Sequence, residues 1–379
     1  MKFIVSMDSF KGSLNQKELT NVIERKIKEI LPNSDVVSIP MADGGEGTLD
    51  CFLDNFITKK VEIKISDPLM RKIDSYYAIK EKTAIIEMAK ASGLTLLTDL
   101  EKSIMKTTTL GVGEMIMDAL NKGIRDFIIT IGGSATNDGG IGMLHALGVR
   151  FFDIFNHPLE PIGKSLPSIN RIDISNFDER LKSSRFEVAC DVDNPLYGIN
   201  GAAHIYGKQK GGSKEDILLL DKGLRTYSEV ANKTMGVDFT KYPGVGAAGG
   251  LGYALKTFLK AKLTPGIDIM LKTSNFEVHC KNTDYIITGE GKIDDQSAMG
   301  KVLSGIAKIG KKHNIPVIAI AGSIDISDNK LYDLGITSML SILNKPMSLK
   351  EALKKETTIK NVETTIEKII KQLATKKSY

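Results

Sequence analysis

The 379-residue chain contains no tryptophan, few aromatic residues (6%), three cysteines and five histidines. Scattered aromatic side chains provide no surface on which nucleic-acid bases could stack. The net charge of +5 comes from Lys and Arg spread along the chain, and a nucleic-acid site would need them gathered on one face. The histidines also lack the spacing of metal ligands. We therefore expect neither a nucleic-acid partner nor a histidine metal site.

Long apolar runs are also missing. The longest one, residues 315–321, is interrupted by Pro316 and is too short to span a bilayer. The chain opens directly on an apolar strand pattern, so we expect no signal peptide. The cysteines are odd in number and far apart, which is typical of free thiols in a reducing cytoplasm. A hydrophobic content of 42% and a charged content of 26% are those of a soluble globular protein.

The length predicts two domains rather than one. Near both termini, continuous apolar runs alternate with helical patterns, as in parallel strands covered on both faces. These strands are predicted at residues 3–7, 36–40, 284–288, 316–321 and 338–343. In the middle of the chain, alternating apolar and polar residues predict antiparallel strands. They are predicted at residues 61–65, 75–79 and 84–88.

We therefore predict an α/β protein of two domains. Residues 1–60 and 270–379 would form a flavodoxin-like parallel-sheet domain, and residues 61–269 an inserted second α/β domain with a mixed sheet. Ser13 and Gln16 predict a capping box for a first helix that ends near Pro32. Further helices are predicted at residues 111–122, 300–312 and 361–374, the first of them polar.

Three predicted strands are each followed at once by a loop rich in glycine and polar residues. Such a loop is a natural anion site, because glycine lets the backbone approach and free N–H groups point at the ligand. The loops begin at Asp8, Gly132 and Gly289. In the flavodoxin strand order 2-1-3-4-5, the loops after strands one and three would face each other across one crevice. The pattern indicates an enzyme that handles a phosphorylated, metal-bound ligand.

The first two motifs carry carboxylates. In Asp8-Ser9-Phe10-Lys11-Gly12-Ser13, Asp8 would act as a base or metal ligand and Lys11 would neutralise phosphate or carboxylate. The alternative is that Asp8 and Ser13 only cap the helix. In Asp43-Gly44-Gly45-Glu46-Gly47, two carboxylates could hold a hard cation or a hydroxylated substrate. An acidic first helical turn would look similar, but it would not need the doubled glycine.

Two further segments supply small polar groups and carboxylates. Residues 132–140 contain four glycines together with Ser134, Thr136, Asn137 and Asp138, which favours an anion site, although no Walker A loop is present. Asp191 and Asp193 alternate along an extended segment and could converge on Mg²⁺ only at a strand end. Turn formation before Pro195 is the open alternative.

The last two glycine motifs differ in what precedes them. Residues 244–250 match GxGxxG but follow Lys-Tyr-Pro rather than a strand. We therefore expect a flexible loop that packs near the cleft or touches the nucleotide, rather than a dinucleotide site. Residues 289–295 follow a predicted strand at the predicted switch point. There Lys292 and backbone N–H groups could hold a triphosphate. The alternative is that Asp294 or Asp295 is only a helix cap.

Seven ordered motifs together resemble the bacterial glycerate kinase family, of the type related to glucarate and glyoxylate use. They are DSFKGSL, MADGGEGT, GGSATNDGG, ACDVDNPLYG with NGAA, PGVGAAGGLG, LTPGID and TGEGKIDDQSAMGK. The resemblance covers essentially the whole chain. It implies ATP-dependent phosphorylation of D-glycerate, usually to 2-phosphoglycerate, in a cleft between the two α/β domains.

Our hypothesis is direct in-line transfer of the γ-phosphoryl group of ATP with Mg²⁺. The base is left open between Asp8 and Asp191, with Lys11 as the charge partner. Substrate-binding residues are predicted to be Ser9, Asp43, Gly44 and Glu46. Nucleotide-binding residues are predicted to be Gly132, Gly133, Ser134, Thr136, Asn137, Asp138, Gly289, Glu290, Gly291 and Lys292. Metal ligands are predicted to be Asp193 and Asp294.

Two other classes of function remain as rivals. A dinucleotide-dependent oxidoreductase of hydroxy acids would rest on residues 244–249. A non-catalytic sensor of small acids fits poorly, because a binder of carboxylates needs cations rather than paired carboxylates. A homodimer stays an open alternative.

Overall fold

A computed structural model describes residues 1–42, 44–45, 47–56, 58–298 and 300–376. The strands in chain order are β1 (Lys2–Met7), β2 (Asp35–Ser38), β3 (Lys59–Ser66), β4 (Lys72–Lys80), β5 (Thr83–Glu87), β6 (Asp126–Thr130), β7 (Arg150–Phe152), β8 (Arg171–Asp173), β9 (Arg185–Ala189), β10 (Lys262–Thr264), β11 (Tyr285–Asp294), β12 (Val317–Asp325) and β13 (Ile336–Ser341).

The helices are α1 (Gln16–Ile30), α2 (Thr48–Asn55), α3 (Ala89–Ser92), α4 (Leu110–Asn121), α5 (Ile141–Ala146), α6 (Ala202–Tyr206), α7 (Lys214–Met235), α8 (Ala247–Leu259), α9 (Gly266–Thr273), α10 (Phe276–His279), α11 (Val302–Lys312), α12 (Lys330–Leu334), α13 (Leu349–Ala352) and α14 (Lys355–Lys376). Short 3₁₀ helices lie at Leu94–Leu96, Gly163–Ser168, Glu179–Ser183, Lys208–Lys210 and Asp295–Ala298.

The chain folds into two compact units. The terminal unit comprises Met1–Asp43, Asp54–Phe56 and Pro265–Tyr379, and the central unit comprises Gly44–Leu53 and Ile57–Thr264.

The terminal unit contains a five-stranded parallel sheet in the order β2-β1-β11-β12-β13. This is the predicted flavodoxin-like order 2-1-3-4-5, and the predicted fold class is confirmed. Helices α1 and α14 pack on the sheet through fully buried side chains such as Leu19, Ile23, Ile366 and Ile370. Each buried aliphatic side chain contributes about 1.5–3 kcal/mol.

The cap of α1 differs from the prediction. Asn15, rather than Ser13, is the N-cap, and its Oδ1 accepts a hydrogen bond from the Glu18 N–H at 2.8 Å. The Glu18 carboxylate accepts from the Asn15 N–H at 3.1 Å, which completes a capping box two residues later than predicted. Ser13 instead bonds through its hydroxyl to Thr358 at 2.6 Å.

The central unit contains a six-stranded mixed sheet in the order β10-β9-β6-β5-β4-β3. Strands β3, β4 and β5 pair antiparallel, as predicted, while β5, β6, β9 and β10 are parallel. Helix α4 was predicted to be polar, and this prediction is wrong. It buries one stripe at helical spacing: Val112, Met115, Ile116, Ala119 and Leu120.

Candidate functional site

In the terminal unit, the loop after β1 lies against β11. The Asp8 N–H donates to the Gly289 carbonyl oxygen at 2.9 Å, and a β-carbon on Gly291 would lie 3.5 Å from the Phe10 Cα. Asp8 is buried, and its carboxylate accepts from the Ser9 N–H at 2.6 Å. Lys11 is exposed. The structure therefore brings the two predicted segments of this unit together.

The segment Gly289–Asp294 is not the loop that the sequence predicts. It continues strand β11, because β12 lies alongside and pairs with it as far as Asp294 and Asp325. Glu290 and Ile293 are buried, whereas Lys292 is exposed. The pairing with β1 ends at Gly289, whereas the pairing with β12 continues to Asp294, so β12 uses the backbone groups on one side of this segment. The predicted contacts of this segment with a triphosphate stay a prediction.

Lys292 and Asp294 are close to each other at this end of β11. The Lys292 Nζ lies 3.6 Å from Asp294 Oδ2 and 3.4 Å from Asp325 Oδ2. Asp294 also accepts from the Gln296 N–H at 3.1 Å. A cavity of about 290 Å³ is lined by Asp294, Asp295, Gln296, Asp325, Ile326 and Ser327. A cation bound by Asp294 would compete with the Lys292 ammonium group.

In the central unit, three parallel strands end in register at one edge of the sheet. Glu87 on β5, Thr130 on β6 and Ala189 on β9 are paired neighbours. The segments that follow them therefore begin side by side. They are the Glu87–Lys90 segment, the loop Gly132–Gly140 and the segment Cys190–Asp193, in which Asp191 and Asp193 are exposed. This edge collects most of the predicted polar groups of the central unit.

The loop Gly132–Gly140 approaches Gly45 closely. A β-carbon on Gly132 would lie 2.8 Å from the Gly45 Cα, so only glycine fits there. Gly44 and Gly45 belong to the Asp43–Gly47 motif, whose two carboxylate residues, Asp43 and Glu46, lie outside the described residues. Two glycine motifs that are far apart in the sequence therefore lie against each other in the central unit.

The same loop also contacts the GxGxxG motif. The Gly139 N–H donates to the Gly249 carbonyl at 2.9 Å, and a β-carbon on Gly249 would lie 2.1 Å from the Thr136 carbonyl oxygen. Residues Ala248, Gly249 and Gly250 have positive φ and are buried in the first turn of α8. The motif is therefore a buried packing element, and the expectation of a flexible loop is wrong.

Asp138 is fully buried and organises the backbone. Its Oδ2 accepts from the Thr109 N–H at 2.8 Å, the Thr109 hydroxyl at 2.7 Å and the Gly142 N–H at 3.2 Å. Its Oδ1 accepts from the Gly140 N–H at 3.1 Å. Burial raises the pKa of Asp138, and these hydrogen bonds lower it. The Asp138 carboxylate thus occupies the Gly140 N–H of the predicted anion loop and holds the backbone of Thr109 and Gly142.

Lys210 is a residue that the sequence did not point to. It is only 2% exposed, and its Nζ donates to the Ser134 hydroxyl at 2.6 Å and to the Thr136 carbonyl at 2.8 Å. Burial lowers its pKa to about 7, against the attraction of Asp138, which raises it. Thr136 and Asn137 are fully buried beside these contacts. A buried lysine therefore holds the middle of the glycine loop.

Glu87 was also missed, although a glutamate at the end of an apolar strand was a usable signal. It is fully buried and accepts hydrogen bonds from the N–H groups of Gly47 and Leu49. Burial raises its pKa, while these two bonds and nearby Lys90 lower it. Within the described residues, no three or more His, Cys, Asp or Glu side chains come together as a metal site.

Parallel strands whose carboxyl ends carry polar loops rich in glycine are typical of α/β enzymes that bind a small anionic ligand. The sequence model of a protein family, described as the glycerate kinase family, matches residues 3–374 of the chain. The chain therefore belongs to the glycerate kinase family, which confirms the resemblance seen in its motifs and makes it a kinase-type enzyme.

Individual relatives match over nearly their whole length. A glycerate kinase of Bacillus cereus (strain ATCC 10987 / NRS 248) is 43% identical over 371 residues, covering 97% of both chains. A glycerate 2-kinase of Escherichia coli (strain K12) is 44% identical and covers 93% of both chains. A crystal structure from Salmonella typhimurium LT2, provisionally described as glycerate kinase 2, is 38% identical with a TM-score of 0.89 and full coverage of both chains. None of the described helices combines the length and apolar character needed to cross a bilayer.

Proposed function

We propose that the protein transfers the γ-phosphoryl group of ATP to a hydroxyl group of D-glycerate, with 2-phosphoglycerate favoured over 3-phosphoglycerate as the product. Family membership supports the substrate class and the phosphoryl donor. The name of the Escherichia coli relative, glycerate 2-kinase, supports the choice of hydroxyl. The three free cysteines, two of them buried, are in keeping with a cytoplasmic location.

The observation that carries the proposal is the packing of glycine motifs at the carboxyl edge of the central sheet. Gly132 lies against Gly45 at a distance that leaves no room for a side chain, and Gly133 next to it is exposed. Main chain without side chains at this edge lets a ligand approach the N–H groups and small hydroxyl groups of the loop. A surface of that kind suits the oxygens of phosphate and of a small hydroxy acid.

The proposed roles keep most of the sequence assignments. Nucleotide phosphates would contact the half-buried Gly132 and the exposed Gly133, together with the buried Ser134 next to them. Glycerate would contact Ser9, Gly44 and the carboxylates of Asp43 and Glu46. Thr136 and Asn137 are buried and would act by shaping the loop. Gly289, Glu290 and Gly291, being part of a strand, would support the Asp8 loop. Lys292, exposed beside Asp294 and Asp325, would offset phosphate charge.

In the proposed reaction a glycerate hydroxyl oxygen attacks the γ-phosphorus, and the bond from that phosphorus to the bridging oxygen breaks to release ADP. A carboxylate accepts the proton of the hydroxyl group. Asp8 and Asp191 are the two candidates, one buried beside the Ser9 N–H and the other exposed after β9. The exposed ammonium group of Lys11 would offset negative charge on the transferred group.

Mg²⁺ fits the donor chemistry of Asp193 better than that of Asp294. Asp193 is an exposed carboxylate, whereas Asp294 lies near the Lys292 ammonium group. Mg²⁺ is usually bound through one or two carboxylates together with substrate phosphates and water, so a site of three carboxylates is not required. A bound Mg²⁺ would offset the negative charge of the nucleotide phosphates.

Phosphorus NMR of the products formed from ATP, Mg²⁺ and D-glycerate tests the proposal. A 2-phosphate couples to one carbon-bound proton and a 3-phosphate to two, so the splitting assigns the hydroxyl. We expect kcat to fall about 10²–10⁴-fold in whichever of Asp8→Asn and Asp191→Asn removes the base. We also expect loss of activity in Lys11→Ala, with exposed Lys28→Ala and Asp99→Asn as unaffected controls.

The outcomes separate the rival functions. A wild-type protein that binds ATP but forms no phosphoglycerate would move the substrate to another small hydroxy acid. A protein that does not bind ATP would overturn phosphoryl transfer. Binding of NADH would favour the oxidoreductase, although residues 244–250 pack in the interior rather than following a strand. Binding of D-glycerate without turnover would favour the sensor.

A further inference from the structure

The side chain of Glu87 reaches from the end of β5 to the start of α2. Its Oε2 accepts from the Leu49 N–H at 2.8 Å, and its Oε1 accepts from the Gly47 N–H at 3.2 Å. These N–H groups belong to the first turn of a helix, where the backbone has no helical partner and carries partial positive charge. One buried carboxylate therefore holds a single backbone segment with both of its oxygens.

The surroundings of Glu87 contain one pair of opposite charges. The Lys90 Nζ lies 2.9 Å from Asp50 Oδ2, and the Tyr76 hydroxyl donates to Asp50 Oδ1 at 2.6 Å. Lys90 pairs with Asp50, and its charge also acts on the Glu87 carboxylate. A fully buried carboxylate is costly unless its bonds are made, and here the two backbone N–H groups make them.

The segment held by Glu87 is the end of the Asp43–Gly47 motif. On its other side, Gly45 lies against Gly132, where a β-carbon would come within 2.8 Å. Glu87 therefore holds the backbone at Gly47 and Leu49, and close packing on the glycine loop holds it at Gly45. A simple helix cap would need neither a residue from 40 positions away nor this second contact.

We propose that Glu87 is a positioning residue for the hydroxy-acid substrate. It fixes the backbone at Gly47 and Leu49, beside Gly44, which is proposed to contact D-glycerate. The inference rests on the proposed function, since it assigns this motif to the acceptor rather than to ATP. Glu87 itself makes no contact with substrate in this role.

Glu87→Gln is the direct test in the full-length protein. A glutamine keeps one acceptor oxygen but presents an NH₂ group to a backbone N–H, so one hydrogen bond to a charged group is lost. The expected result is a rise of about 10- to 100-fold in the KM for D-glycerate. The KM for ATP is expected to stay within about twofold. Glu87→Asp keeps the charge on a shorter side chain and is expected to recover part of the loss.

Glu114→Gln provides a matched control in the same unit. Glu114 Oε2 accepts from the Ser66 N–H at 2.5 Å, and its Oε1 accepts from the Ser66 hydroxyl at 3.1 Å. This carboxylate also holds the backbone at a strand end, but at the end of β3, away from any predicted site residue. We expect its loss to change the free energy of unfolding without changing either KM.

Amide hydrogen exchange supplies a readout that does not depend on activity. The amide hydrogens of Gly47 and Leu49 should exchange faster in Glu87→Gln than in the wild-type protein. In Glu114→Gln their exchange rates should equal those of the wild type. An unchanged KM for D-glycerate in Glu87→Gln, or an equal rise in both KM values, would overturn the positioning role while leaving the proposed function intact. A wild-type protein inactive on D-glycerate would overturn the proposed function and this inference together. If Glu87→Gln does not fold, Glu87→Asp carries the same comparison.

Discussion

Replacement of Lys210 by methionine should change how the stability of the protein depends on pH. Lys210 is 2% exposed, and its Nζ contacts the Ser134 hydroxyl and the Thr136 carbonyl oxygen. Burial disfavours the ammonium form and lowers the pKa of Lys210 to about 7. The unfolded chain exposes this lysine to water and restores its ordinary pKa of 10.5.

The size of the effect follows from the two pKa values. At 1.36 kcal/mol for each pH unit, the difference between 10.5 and about 7 corresponds to about 5 kcal/mol of penalty on the charged folded form. Below pH 7 both states bind the proton, so the penalty is full and does not vary. Between pH 7 and 10.5 the unfolded state holds a proton that the folded state lacks, so stability rises with pH.

Urea unfolding at pH 7 and pH 9 measures this difference. Relative to Lys210→Met, the wild-type protein should gain about 2–3 kcal/mol of unfolding free energy between the two pH values. The methionine variant also leaves the Ser134 and Thr136 oxygens without this donor, but that cost is the same at both pH values and cancels. Lys208→Met, exposed on the same short helix, is the control. Parallel pH profiles for wild type and Lys210→Met would show that Lys210 stays charged in the folded protein.

Two further predictions concern the same loop. Gly249→Ala should lower the free energy of unfolding by about 2 kcal/mol or more, because φ is +68° and the new β-carbon would lie 2.1 Å from the Thr136 carbonyl oxygen. Gly236 has a similar φ of +71°, but a β-carbon there would meet nothing within 4 Å, so Gly236→Ala should lower the free energy of unfolding by only about 1 kcal/mol. Equal losses of unfolding free energy for the two variants in urea titrations would contradict the packing argument. Asp138→Asn should lower stability by about 2–4 kcal/mol, since an amide nitrogen would face buried N–H donors, while the KM for ATP of the folded enzyme stays unchanged. Unchanged stability with a raised KM for ATP would return Asp138 to nucleotide binding.

Features that depend on short-range periodicity could be predicted from the sequence. Continuous apolar runs predicted the parallel strands of the terminal unit, and alternating runs predicted the antiparallel strands β3–β5. The motifs that identify the glycerate kinase family are also local, because each is a short run with a fixed order of residue types. Strand and helix periods reflect backbone geometry, which each segment carries by itself.

Features that depend on partners far away in the sequence could not be predicted from it. Ser13-x-x-Gln16 and Asn15-x-x-Glu18 are both capping patterns, and the second prevails where the Ser13 hydroxyl is bonded to Thr358. Strand β11 continues to Asp294 because its neighbour β12 is long enough to pair with it. The end of a strand is set by its partner, which the local sequence does not contain.

The same distinction holds for the candidate site. Asp8, Lys11, the glycine loop at 132–140 and Asp191 were recognisable by residue type and by position after strands. The roles of Glu87, Asp138 and Lys210 were decided by the tertiary structure. Each of these side chains bonds to groups that lie from 2 to 76 positions away in the sequence. Each is also buried by elements from elsewhere in the chain. Sequence spacing determines which chemical groups follow a strand. Long-range packing determines which of them lose their water and must hold the backbone instead of a ligand.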